Sequence, residues 1–95
     1  MFITIVKVFP LSVHEYTDRM GKPQKFAAKG LIVDNGNGTL YVEAIQETAQ
    51  DIEKLQLKEK DCAVISLRSI AREYETKNGE KRYSNELTIQ HFVQV

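Results

Sequence analysis

The sequence predicts a small all-β barrel with one short helix, and three observations lead to this class. Five segments are rich in β-branched and aromatic residues or alternate between apolar and polar positions. Turn signals separate these segments, above all the tetrad at residues 35–38, Asn-Gly-Asn-Gly, which is typical of a hairpin connection. Only residues 46–57 have the spacing of an amphipathic helix. A chain of 95 residues is expected to form one domain, over residues 1–95.

The first predicted strand covers residues 2–9 and ends at Pro10. It is apolar on both faces, which is typical of a strand that is central or shared between two layers of sheet. Residues 11–24 contain Gly21 and Pro23 among scattered polar positions, so we expect a long loop there, with a short extension of strand around residues 13–16.

The middle of the chain predicts two further strands and the helix. In the second strand, residues 25–34, alternation separates two faces: Lys25, Ala27, Lys29, Leu31 and Val33 on one, and Phe26, Ala28, Gly30 and Ile32 on the other. Phe26 is expected in the core. The third strand covers residues 39–45. The helix, closing the barrel over about residues 48–55, is expected to bury Ala49, Ile52 and Leu55, with Thr48 as its N-cap.

Two long strands, residues 63–74 and 81–95, follow and are joined by a polar turn at residues 77–80. The order strand, strand, strand, helix, strand, strand describes a five-stranded Greek-key OB-fold barrel, all-β, with its helix between strands 3 and 4. The competing folds are an SH3-like barrel and a ferredoxin-like sandwich, and the sandwich needs a second full helix.

The last hairpin carries most of the functional prediction, because one of its exposed faces is expected to be basic and aromatic. Alternation places Arg68, Arg72 and Tyr74 on the face opposite Ala63, Ile65 and Leu67. Further cationic and aromatic residues along the hairpin are Lys77, Lys81, Arg82 and Tyr83. Cationic groups beside flat aromatic faces suit a flexible polyanion with stackable bases. Lys25, Lys29 and Tyr41, on the second and third strands, complete the candidate nucleic-acid-binding residues.

Residues 67–87 resemble the fourth and fifth strands of bacterial single-stranded DNA-binding proteins, the SSB family. Tyr74 stands where that family usually has a base-stacking Trp, and Arg82, Tyr83 and Glu86 fit the strand that follows. The resemblance covers about residues 40–95. The chain has no Trp and ends on strand residues, which is closer to the tailless, PriB-type members. The resemblance implies sequence-independent binding of single-stranded DNA by stacking and phosphate contacts, in replication, repair or mobile-element maintenance.

Composition keeps a second function open. The 13 basic and 13 acidic side chains cancel, so any affinity for phosphates must come from local segregation of charge. The alternative is an OB-type protein-interaction or oligomerisation module without nucleic-acid binding. The tyrosines could equally pack across strands, and the cations could be ordinary solvated surface. RNA is also left open as the ligand.

The sequence lacks the residue patterns that an enzyme or a metal-binding protein would need. No catalytic triad or metal-ligand spacing is visible, and His14 and His91 have no partner at ligand spacing, so we expect neither an enzyme nor a cofactor. The single Cys62 forms no internal disulfide, and residues 1–9 have no leader or cleavage site. We therefore expect a cytoplasmic protein without membrane contact. Exposed strand edges are commonly covered by a partner, which predicts a homodimer or homotetramer.

Overall fold

The computed structural model describes residues 1–95 as a closed barrel of five strands with a sixth strand along one side. The elements are β1 Phe2–Val8, β2 Ser12–Thr17, β3 Pro23–Asp34, β4 Thr39–Ile45, α1 Gln46–Leu55, β5 Cys62–Glu75 and β6 Lys81–Gln94. The barrel order is β1-β5-β6-β4-β3, and pairing of β3 with β1 closes it. Only β4 and β6 pair in parallel. The predicted OB-fold, with one helix between the third and fourth barrel strands, is confirmed.

Strand β1 is shared between two parts of the barrel, as its apolar sequence predicts. It pairs with β5 through residues 2–4 and with β3 through residues 4–8, with an irregular register between Ile5 and Lys7. Ile3 and Ile5 point into the core and are fully buried. The first half of β1 therefore pairs with one neighbour and the second half with the other, and the two pairings overlap at Thr4.

The short extension of strand predicted around residues 13–16 is confirmed as β2, which is longer and replaces the predicted loop over Ser12–Thr17. All six residues of β2 pair with β3, from Ser12 with Ala28 to Thr17 with Pro23. The strand is exposed on both faces, so it lacks the alternation that identifies a half-buried strand. Asp18 organises the turn that follows, since its carboxylate accepts hydrogen bonds from Lys22 and Gln24. These bonds, together with one from the backbone N–H of Met20, hold the pKa of Asp18 below its ordinary value.

The core is one cluster of buried apolar side chains inside the barrel. Its members are Ile3, Ile5, Ala27, Leu31, Val33, Val42, Ala44, Ala49, Ile52, Leu57, Ala63, Ile65 and Ile89. Ala49 and Ile52 of α1 are buried as predicted, but Leu55 is 43% exposed and Leu57, beyond the helix, is buried instead. The predicted N-cap at Thr48 is also wrong. The helix begins two residues earlier, after Ile45, without a side-chain cap.

Strand β3 turns Phe26 outward, so the prediction that Phe26 lies in the core is wrong. The inward positions of β3 belong to Ala27, Leu31 and Val33, together with Lys29. Phe26 is half-buried on the outer face of the sheet, directly opposite His14 of β2. Its exposure results from register, because Leu31 and Val33 fill the barrel and the intervening positions must then face outward.

Strands β5 and β6 continue well beyond the barrel. They pair from Ala63 with Gln94 to Glu75 with Lys81, yet the last residues that pack against the core are Leu67 and Leu87. Residues 68–86, here called the arm, include no buried side chain. The paired part of the arm projects about 25 Å. The radius of gyration is accordingly 15.4 Å, against about 12 Å for a compact domain of this length.

Candidate nucleic-acid interface

The outer face of β2, β3 and β4 forms a shallow groove, here called the outer groove. Residues directly opposite each other in an antiparallel ladder share a face, so His14 lies beside Phe26 and Ser12 beside Ala28. The groove is lined by Phe9, Pro10, Ser12, His14, Phe26, Ala28, Lys29, Gly30, Tyr41 and Glu43. Three aromatic rings therefore lie along one exposed concave surface.

The ring of Tyr41 is fixed in the outer groove by Phe9 and Gly30. The rings of Phe9 and Tyr41 meet edge to face, with centroids 5.8 Å apart and planes at 74°. A Cβ atom at position 30 would lie 2.5 Å from the Tyr41 hydroxyl oxygen and 2.9 Å from Cε2. Glycine at position 30 thus allows the ring to lie against the backbone of β3 while Tyr41 stays largely exposed. Lys7 extends this cluster, with Nζ 4.9 Å from the centroid of Phe9.

Glu43 adds a negative charge beside these rings. The Tyr41 hydroxyl donates a weak hydrogen bond of 3.4 Å to Oε2 of Glu43. Partial desolvation, followed by the charge of Glu43, raises the pKa of Tyr41 above its ordinary value. Tyr41 therefore remains a neutral phenol, able to donate this bond, throughout the physiological pH range.

The arm has two different faces. Arg68, Arg72 and Tyr74 alternate along β5, and Arg82 lies directly opposite Tyr74, so these four share the face that continues the barrel's outer surface. Lys81 and Tyr83 are opposite Glu75 and Glu73 and belong to the other face. The prediction of one basic and aromatic face along the hairpin is thus correct only for the first group, while Lys77 lies in the turn at the tip.

Most cations of the arm are paired with carboxylates. Arg72 Nε is 2.7 Å from Glu86 Oε1, Arg82 Nη2 is 3.3 Å from Glu80 Oε2, and Lys81 Nζ is 3.6 Å from Glu73 Oε1. All six side chains are at least half exposed, so each pair contributes about 0–1 kcal/mol and can be exchanged for another anion. Arg68 and Lys77 make no ion pair and are free for a phosphate.

The two candidate lysines of β3 do not lie on the outer groove's exposed surface. The Lys29 side chain is 6% exposed, and its ammonium donates to the carbonyl of Phe9 at 2.8 Å and to Glu53. The structure therefore removes Lys29 from the possible phosphate contacts. Lys25 lies on the opposite face of the β2–β3 hairpin from Phe26, exposed and 3.9 Å from Glu15.

The outer groove and the arm meet beside the single ladder pair between β4 and β6. Glu43 pairs there with Thr88, and the recess beside this pair is lined by Tyr41, Glu43, Asn85, Glu86, Leu87 and Thr88. Because Thr88 and Arg68 are opposite each other, the outer surface continues from Tyr41 across Thr88 to the arginine face of the arm. Of the sequence-predicted residues, Tyr41, Arg68, Arg72, Tyr74 and Arg82 share this surface.

Four aromatic or ionisable residues of the groove are not among the candidates predicted from the sequence: Phe9, His14, Phe26 and Glu43. Phe9 and Phe26 resemble core residues in composition, and His14 lies in a polar segment for which only a short strand around residues 13–16 is expected. One usable signal exists in Gly30, because a glycine inside a strand often marks close approach by another group, here the ring of Tyr41.

Among solved structures, the chain is similar to the second OB-fold domain of replication protein A from Methanococcus maripaludis, a solution NMR structure. The TM-score is 0.61 at 17% sequence identity, and the match covers 99% of this chain and 79% of that one. No protein-family model matches the chain, and no curated protein is significantly similar to it in sequence. The structural likeness supports the OB-fold and does not single out the bacterial SSB family. The only helix, α1, is neither long nor apolar enough to cross a membrane.

Proposed function

We propose that this protein binds single-stranded DNA, without strong dependence on sequence, across the outer groove and along the arginine face of the arm. The second and third strands of an OB-fold barrel form its usual oligonucleotide-binding face, and in this chain they are β3 and β4. The role of the protein would lie in replication, repair or mobile-element maintenance, and its activity would be binding rather than catalysis.

One observation carries the proposal: aromatic side chains and arginines, of which Arg68 is free of ion pairs, share a single continuous outer surface. Phe26 and Tyr41 offer faces on which bases can stack, and each such contact is worth about 1–3 kcal/mol. Arg68 and Arg72 line the same surface where it passes onto the arm. A bound single strand would stack its bases in the outer groove and place its phosphates along the arm, and proteins bind single strands by these two kinds of contact.

The alternative, an OB-type protein-interaction or oligomerisation module, has its own support. Three of the arm's cations are already neutralised by neighbouring carboxylates, and the whole chain has a net charge of zero. A surface of this kind is also suited to a polar protein partner. The two functions differ in salt dependence, because release of counterions from a nucleic acid makes its binding fall steeply with salt.

The test is fluorescence anisotropy with a labelled oligo-dT at two salt concentrations, repeated with oligo-U to compare DNA with RNA. We expect saturable binding whose affinity falls as salt rises. Absence of binding to either oligonucleotide by the folded protein would favour the protein-interaction module.

A homodimer or homotetramer stays a prediction. It is supported by a row of exposed apolar side chains on the outer surface of β1, β5 and β6, where Phe2 lies opposite Val64 and Val64 opposite Val93. Light scattering at high micromolar concentration checks it, and a monomer there contradicts it.

A further inference from the structure

We propose that Glu43 gives the outer groove a preference for guanine at one position of a bound single strand. This inference rests on the proposed function and adds a base preference at a single position. A carboxylate has two acceptor oxygens, and guanine offers two parallel donors on its Watson–Crick edge, N1–H and the N2 amino group. Thymine offers one donor between two carbonyl acceptors, whereas cytosine and adenine place an acceptor nitrogen beside their amino group.

The position of Glu43 fits this contact. Its half-buried side chain lines the groove together with Phe26 and Tyr41, so a base stacked on either ring would bring its edge within reach of the carboxylate. The hydroxyl of Tyr41 is the only side-chain partner of Glu43, and it engages only Oε2 at 3.4 Å. Oε1 therefore keeps its full capacity to accept hydrogen bonds.

The charges around Glu43 indicate whether it would face a phosphate or a base of the bound DNA. Five other glutamates, at positions 15, 53, 73, 80 and 86, are ion-paired, but Glu43 has no cation within ion-pair distance. The nearby Lys29 does not neutralise it, because its ammonium is held by Glu53 and the Phe9 carbonyl. An unpaired carboxylate repels phosphate, so the favourable ligand at this point is a base edge with donor groups.

The test uses labelled oligo-dT and the same oligonucleotide with one central guanine, cytosine, adenine or inosine. We expect the guanine probe to bind about tenfold more tightly than oligo-dT, within the range for a bidentate base contact. Inosine keeps N1–H but lacks the N2 amino group, so its affinity should fall between the two.

Substitutions of Glu43 test whether its carboxylate causes the preference for guanine. Glu43→Gln keeps one acceptor and adds a competing donor at nearly the same size, so the ratio of guanine to thymine affinity should fall close to one. Glu43→Asp keeps the charge on a shorter side chain and should retain part of the ratio. The matched control is Glu59→Gln, which removes the same charge from an exposed turn and should keep the wild-type ratio.

The outcomes separate this inference from the proposed function. Binding of oligo-dT with equal affinity for the guanine probe overturns the inference and leaves the function standing. A guanine preference that survives in folded Glu43→Gln overturns its assignment to Glu43. Failure of the wild-type protein to bind any probe overturns both.

Discussion

The barrel and the arm are built from the same two strands but are stabilised differently. Within the barrel, alternate residues of β5 and β6 enter the core, as Ala63, Ile65 and Ile89 do. Within the arm, no side chain is buried, and order depends on the backbone ladder and exposed cross-strand pairs. An isolated two-stranded ribbon is only marginally stable in water. Substitutions in the barrel should therefore change the free energy of unfolding, whereas substitutions in the arm should change what the surface binds.

The largest expected effect is loss of a core side chain. Leu31 is fully buried on β3, so Leu31→Ala should lower the free energy of unfolding by about 2–5 kcal/mol through lost burial and a residual cavity. Ile70→Ala in the arm, where the side chain is 37% exposed, is the matched control and should cost less than about 1 kcal/mol. Urea denaturation followed by circular dichroism measures both. Equal losses would mean that the arm packs as part of the core.

The buried lysine gives the next effect. Glu53→Gln leaves the ammonium of Lys29 without its charged partner and should destabilise the fold by about 1–3 kcal/mol. Glu15→Gln, which removes only the exposed contact to Lys25, should change stability by less than about 0.5 kcal/mol. Lys29→Met should leave the salt dependence of oligonucleotide binding unchanged, because Lys29 is inaccessible to phosphate. A reduced slope in that variant would contradict the assignment of Lys29 to the interior.

The two faces of the arm are distinguished by two tyrosines. Tyr74→Ala should weaken binding of single-stranded DNA by about 1–3 kcal/mol through loss of a stacking surface, with the salt dependence nearly unchanged. Tyr83 lies on the opposite face, beside Glu73, so Tyr83→Ala should have little effect on binding. Anisotropy titrations at several salt concentrations measure both quantities. If the two variants lose affinity equally, the bound DNA does not distinguish the two faces of the arm.

The sequence predicts the strands of the barrel better than it predicts which face of the sheet each residue occupies, and the reasons are physical. Alternation identifies strands that are half buried, and it fails for β2, which is exposed on both sides. Alternation also fails where a β-bulge interrupts a strand. Ser66 pairs with His91 and Leu67 with Ile89, which leaves Gln90 as an extra residue in β6. Ile89 is therefore buried while Val93, four residues on, is 63% exposed, although the simple alternation gives them the same face.

Candidate site residues depended on these face assignments. Tyr41, Arg68, Arg72 and Tyr74 lie on strands whose alternation is unbroken, and the structure places them together on the outer surface. Lys29 was misplaced because a lysine normally occupies the solvent side of a strand, and its partners, Glu53 and the Phe9 carbonyl, are distant in sequence.

The smallest expected effect separates a free arginine from a paired one. Arg68 has no ion pair, so Arg68→Ala should reduce the slope of log affinity against log salt by about 0.7, the value for one phosphate contact of a single strand. Arg72 is held by Glu86 at 2.7 Å, so a phosphate must displace that carboxylate, and Arg72→Ala should reduce the slope by less. Glu86→Gln removes the competing charge, and Arg72→Ala made in that background should then recover a reduction of about 0.7. Lys81→Ala, on the opposite face, is the control and should leave the slope unchanged. If Arg72→Ala gives the same reduction with and without Glu86, the ion pair does not limit phosphate binding, and the arm's paired cations must be counted as free.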